Sequence, residues 1–158
     1  MGSACGTLRF EVGQDLPEQR VPGSPVGGLL PSFVPSPIPL TIDLRAETER
    51  RNTGPARSVQ LSSLVLHATP QEAPSGTFDF LDEVRIYIAA RDGSRPRVEI
   101  ARLVSVPRGQ VRLELTVVPE VELLPYLNAG AEITATARGT QPRRDVTFAG
   151  RIELTVRV

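Results

Sequence analysis

The sequence predicts an all-β domain, an antiparallel β-sandwich of about eight strands. Three observations predict it. Apolar residues recur at every second position in run after run, Pro- and Gly-rich corners separate the runs, and no stretch carries the apolar spacing of a long amphipathic helix. Strands whose faces alternate so plainly are half-buried, which favours antiparallel sheets over the wholly buried parallel kind. A chain of 158 residues with 40% hydrophobic side chains is long enough and apolar enough for one domain with its own core.

The first run places Leu8, Phe10 and Val12 opposite Thr7, Arg9 and Glu11, a short strand over Thr7 to Val12. From Gly13 to Pro39 proline and glycine recur, with Pro17, Pro22, Pro25, Pro31, Pro35 and Pro37 among them. Proline lacks an amide donor and fixes φ, so neither a helix nor a central strand is expected there. Leu29, Leu30, Phe33, Val34 and Ile38 make this extended segment too apolar for a solvated tether and predict that it lies along the domain. Residues 1–38 are therefore set apart as a tether, short strand and Pro/Gly-rich segment, and residues 39–158 as the sandwich.

Leu40, Ile42 and Leu44 then alternate with Thr41, Asp43 and Arg45, and a charged turn is expected through Glu47, Arg50, Arg51, Asn52 and Gly54. Between Ser58 and Ala68 the apolar parity changes from Val59 and Leu61 to Leu64 and Leu66, which predicts one extra residue, a β-bulge, at Ser62-Ser63. A turn-rich loop over Pro70 to Thr77 leads to the inward row Val84, Ile86 and Ile88, and Asp92-Gly93 turns the chain into a strand from Arg97 to Val106. After Pro107-Arg108-Gly109 come Val111, Leu113, Leu115 and Val117 on one face. Pro125 and Gly130 limit Glu120 to Asn128 to a single helical turn. Ile133, Ala135 and Ala137 form the next row, and Val146, Phe148, Ile152, Leu154, Val156 and Val158 the last, interrupted by Gly150. Short strands between tight corners suit an immunoglobulin-like or similar Greek-key sandwich. A closed barrel is the competing architecture; with no Trp and 4% aromatic residues a large aromatic-lined cavity is less expected in it, though aliphatic side chains can line one too.

Acidic and basic residues balance at 18 each, so no overall field draws the chain to a polyanion, and nucleic acid is not an expected partner. Every basic residue is Arg, a mark of GC-rich coding.

No constellation of reactive residues stands out. His67 is the sole histidine, with Ser62, Ser63 and Asp79 near it in sequence, but the nucleophile-elbow motif is missing and its parity, opposite to Leu64 and Leu66, predicts a surface position. Asp79, Asp82, Glu83 and Asp92 bracket one strand without the ligand spacing of a calcium loop and are expected to be solvated turn carboxylates facing Arg85 or Arg91. Arg50-Arg51 and Arg143-Arg144 are basic pairs in expected turns, each able to offer a bidentate contact to a carboxylate or other anion. Gly27-Gly28 does not follow a strand into a helix and is no phosphate loop.

The single cysteine, Cys5, excludes an internal disulfide and a multi-thiolate metal site. Preceded by Ser3-Ala4 and followed by Gly6, it resembles the mature end of a bacterial lipoprotein, in which the thiol takes the lipid. On that reading the apolar leader is missing and Met1-Gly2-Ser3 is a cloning remnant. Cys5, Val21-Pro22-Gly23-Ser24, Phe78-Asp79-Phe80-Leu81-Asp82, Leu124-Pro125-Tyr126 and Asp145-Val146-Thr147-Phe148 together resemble uncharacterised predicted lipoproteins of high-GC myxobacterial type. The resemblance implies an envelope location and supplies no activity, ligand or catalytic residue.

The expected function is that of a noncatalytic structural or protein-interaction module of the bacterial cell envelope, outer membrane or periplasm, lipid-anchored at Cys5, with no cofactor and no metal. Its expected partners are a membrane, through that anchor, and another protein or a second copy, through sheet edges. The alternative is a carrier holding an apolar ligand or lipid between the sheets, with Leu123, Leu124, Tyr126 and Leu127 near the mouth.

Overall fold

The structure, a computed structural model, describes residues 8–26, 28–29, 37–69 and 77–158. Among the described residues nine strands and two short helices follow in the order β1 (Arg9–Val21), β2 (Ile38–Pro39), α1 (Leu44–Arg50), β3 (Ser58–Ala68), β4 (Leu81–Ala90), β5 (Val98–Leu103), β6 (Arg112–Glu114), β7 (Thr116–Val117), α2 (Leu124–Ala129), β8 (Ala131–Gly139) and β9 (Val146–Arg157). They form an antiparallel β-sandwich: one sheet in the order β1-β9-β3-β6, the other in the order β2-β8-β4-β5-β7. The predicted loop over 70–76 and the apolar segment over 30–36 lie outside the described residues, as does Cys5.

The inward rows meet between the sheets. Leu64, Ile152, Leu154 and Val156 from one sheet, and Ile88 and Ile100 from the other, are completely buried. The predicted bulge is present: the pairing of β3 with β9 slips between Leu61 and Ser63, so that Leu61 and Leu64 both face inward across the extra residue. Ser62 turns outward there and its hydroxyl donates to the Glu153 carbonyl at 3.0 Å. Gly150 interrupts the β9 row because it lies between Leu16 of β1 and Leu66 of β3; a β-carbon there would stand 2.9 Å from the Val65 carbonyl oxygen.

Four expectations need correction. The first strand does not stop at Val12 but continues to Val21, through Pro17, and brings Val12, Leu16 and Val21 into the core. It can do so because β1 is an edge strand, where a missing N–H breaks no ladder, and because its pairing with β9 shifts between Leu16 and Gln19, around the proline. The sandwich thus draws on residues well before 39.

Second, the alternation from Leu40 to Leu44 gives no strand beyond Pro39; the chain enters α1 instead, with the Asp43 carboxylate accepting the Ala46 amide at 3.1 Å as N-cap. Third, the strand expected from Arg97 to Val106 is shorter, Val98–Leu103. Fourth, the run from Val111 to Val117 is not one strand. Val111 is 58% exposed, β6 pairs with β3, and β7, two residues later, pairs with β5 in the opposite sheet. Leu115 is the crossing point, buried, its amide donating to the Leu64 carbonyl at 3.0 Å.

Leu8, next to Val158 in the β1/β9 ladder, lies at one end of the sandwich together with α2. Val21, Ala68, Leu103 and Gly139, the last residues of β1, β3, β5 and β8, gather at the other end.

Candidate functional site

The far end carries the feature with the most chemistry, the turn from Thr140 to Asp145 between β8 and β9. This turn is pinned on several sides. The Thr140 amide donates to the Phe80 carbonyl at 2.9 Å, the Gln141 amide to the Gly28 carbonyl at 2.8 Å, and the Ser24 amide to the Pro142 carbonyl at 2.8 Å. The Gln141 side chain adds a bond to the Pro22 carbonyl at 3.2 Å. Gly23 lies so close that a β-carbon on it would run into the backbone of Arg144, which is why this crossing requires glycine. Asp145 closes the turn, accepting the Gly23 amide at 2.7 Å and pairing with Arg20. The Gly23 hydrogen bond first, and the Arg20 guanidinium second, hold the Asp145 carboxyl below its ordinary range.

Beside this turn lies a groove of about 540 Å³. Phe80 and Val146 give it an apolar floor, Thr77, Thr140 and Gln141 polar walls, and Arg143 and Arg144 a cationic rim. Among the described residues neither arginine pairs with a carboxylate, and both are exposed. Asp79, also at the groove, is already engaged: its carboxylate accepts the Gly109 amide at 2.7 Å and its carbonyl accepts from Arg108 at 2.6 Å.

The other basic pair has the opposite fate. Arg50 and Arg51 both reach Glu47, one helical turn back, and Arg51 also covers the Phe10 ring with its guanidinium 4.3 Å from the centroid. The hydrogen bond from Arg51 is the main cause that holds the Glu47 carboxyl below its ordinary range. That pair shares one carboxylate, and Arg51 is further committed to the Phe10 ring.

The remaining candidates do not converge. His67 is exposed on β3, opposite Arg112 and Ala149. Four residues of strand place Ser63 roughly 13 Å from it, and Ser62 is bonded to Glu153. Asp82 and Asp92 stand at opposite ends of β4, with roughly 26 Å of strand between Asp82 and Ala90, where β4 ends before Asp92. Glu83 pairs with Arg85, and the Asp92 carboxylate, held below its ordinary range chiefly by Ser94, accepts the Ser94 amide at 2.8 Å. Among the described residues no three His, Cys, Asp or Glu side chains lie close enough to share a metal ion.

The mouth expected at Leu123, Leu124, Tyr126 and Leu127 is not one. Leu123 is completely buried, Tyr126 is 8% exposed with its hydroxyl donating to the Pro96 carbonyl at 2.9 Å, and Leu124 and Leu127 pack against the core. The space between the sheets lies elsewhere, among Leu16, Val21, Leu66, Ile86, Ala135 and Phe148, and amounts to about 60 Å³. It opens there because Ala135, Ala137 and Gly150 leave the facing sheets short of side-chain volume.

No family model matches this chain, and no curated protein does. Among the described residues no helix is long and apolar enough to cross a membrane.

Proposed function

We propose that this domain is a noncatalytic protein-interaction module of the bacterial cell envelope, held to a membrane by lipid on Cys5. The observation that carries the reading is the frame of small residues around the lone thiol, Ser3-Ala4-Cys5-Gly6. The fold supports it by position: three residues beyond Cys5, Leu8 accepts the Val158 amide at 3.0 Å at one end of the sandwich, and the arginine-rimmed groove is at the other. A lipid at Cys5 therefore leaves the groove facing away from the bilayer. The loops are the contact surface in this reading, and along the edge strand β1 Arg9, Glu11, Asp15 and Pro17 discourage pairing with another strand.

Metabolic labelling with palmitate in the native host tests the anchor. The wild-type precursor takes up label and globomycin blocks its maturation, while Cys5→Ser does neither. An unlabelled wild-type protein recovered from the cytoplasm rejects the reading.

The second reading, a carrier for an apolar ligand, is favoured by the gap between the sheets. At about 60 Å³ it is a fraction of the roughly 300–1,000 Å³ of an ordinary ligand pocket, so a lipid enters only if the sheets part. Native mass spectrometry of protein taken from its own cells decides: an adduct of lipid mass supports the carrier, and bare protein ends it.

A further inference from the structure

We infer that the groove beside the Thr140–Asp145 turn binds a carboxylate-bearing segment of a partner polypeptide, with Arg143 and Arg144 as the donors that fix it. The inference rests on the interaction-module reading and names the chemistry of the partner.

The contrast between the two basic pairs begins the argument. Arg50 and Arg51 share a countercharge in Glu47, whereas Arg143 and Arg144 have none among the described residues. The nearby carboxylates of Asp79 and Asp145 are committed to the Gly109 and Gly23 amides. Two guanidinium forks in one turn, each able to give a planar two-bond contact, are matched by carboxylates.

Rigidity comes next. Five hydrogen bonds and the Gly23 crossing hold the turn against three other segments, so little ordering remains to be done when a ligand arrives. An exposed basic turn needed only for solubility has no use for such fixing.

The walls choose a peptide over other anions. Pro142 supplies apolar contact above the buried floor of Phe80 and Val146, and Thr77, Thr140 and the Gln141 side-chain carbonyl supply hydrogen-bonding groups suited to a polypeptide backbone. Phe80 is itself buried and gives no open ring face on which a sugar or base could stack.

The test uses the full chain without lipid, so a failed anchor leaves it untouched. A dye-labelled, acetylated hexaglutamate peptide is titrated in low salt, with hexalysine as control, and amide shifts are followed by NMR. Saturable shifts confined to Thr77, Thr140, Gln141, Arg143 and Arg144 are expected. Arg143→Ala/Arg144→Ala is expected to weaken binding about tenfold or more with an unchanged circular dichroism spectrum, and the double Lys variant to fall between. Three outcomes overturn the proposal: no saturation by hexaglutamate, equal affinity in the double Ala variant, or shifts centred elsewhere. Inorganic phosphate displacing the peptide at equal concentration makes this a simple anion site, and phosphatidylglycerol vesicles perturbing the same amides more strongly make it a headgroup site; either result also overturns it.

Discussion

The carboxylate of Glu122 accepts the backbone amide of Val59 at 2.6 Å, joining two positions 63 residues apart in sequence. The same carboxylate takes the Ser58 hydroxyl at 2.6 Å and the Leu124 amide at 3.1 Å, so one side chain fixes the start of β3 and the start of α2 together. Leu123 returns the contact, its amide donating to the Val59 carbonyl at 2.8 Å. Removing the carboxylate strands three donors, two of them backbone amides in a half-buried site. Glu122→Ala is expected to lower the unfolding free energy by about 2–3 kcal/mol in urea titrations, and Glu122→Gln by about 1 kcal/mol, because an amide keeps one acceptor. Equal losses in the two variants would show that packing, not acceptance, is what Glu122 supplies.

Phe78 is completely buried between Phe80 and Phe148, with ring centroids 6.3 and 6.1 Å away. Phe78→Ala is expected to cost about 3–5 kcal/mol, with Phe78→Leu retaining more than half of the wild-type packing. Calorimetry on the pair checks this, and a loss under about 1 kcal/mol for the alanine variant would mean that the site collapses freely.

The bulge makes an asymmetric prediction. With Ser62 deleted, Leu61 and Leu64 keep their inward facing and the β3/β9 ladder becomes regular, at a cost of about 1 kcal/mol for the lost bond to Glu153. Deleting Gln60 instead turns the completely buried Val59 outward and is expected to abolish a cooperative transition. Thermal melts of the two deletions would contradict the assigned register if they matched.

Acid should loosen the groove turn before the core. The Asp145 carboxyl titrates below its ordinary value of 3.8 because its charged form holds Gly23 and Arg20. Its contribution is therefore fully present above that value, and is lost as the pH falls through the lower folded value. An NMR titration is expected to show the Gly23 amide moving with Asp145, below pH 3.8, and Asp145→Asn should remove that step. A Gly23 shift with an ordinary or raised midpoint would refute the assignment.

The fold was legible where one physical rule governs. β3 could be read to the bulge and β9 to its glycine because a half-buried strand has no choice of parity. The crossing at Leu115 could not: Leu113 and Leu115 face the same core whichever sheet their backbone joins, so alternation is blind to the change of sheet. Pro17 misled because a proline forbids a central strand but not an edge, and sequence alone does not say which strand lies outermost. α1 was hidden by Leu44, which continued the two-residue pattern, although Asp43 as cap and Arg45 with Glu49 four residues on were its signals. For the site, both arginine pairs were visible in the sequence. That one already has a carboxylate partner follows only once α1 forms and brings Glu47 under Arg50 and Arg51.

The first and last strands lie side by side and run in opposite directions, so Leu8 and Val158 stand together. Tension applied between those two points opens the ladder one rung at a time, instead of loading all rungs at once as a pull along the strands from opposite ends does. A partner held at the arginine turn instead pulls against Leu8 along the length of these strands, so that a load between a membrane and that partner is shared by every rung.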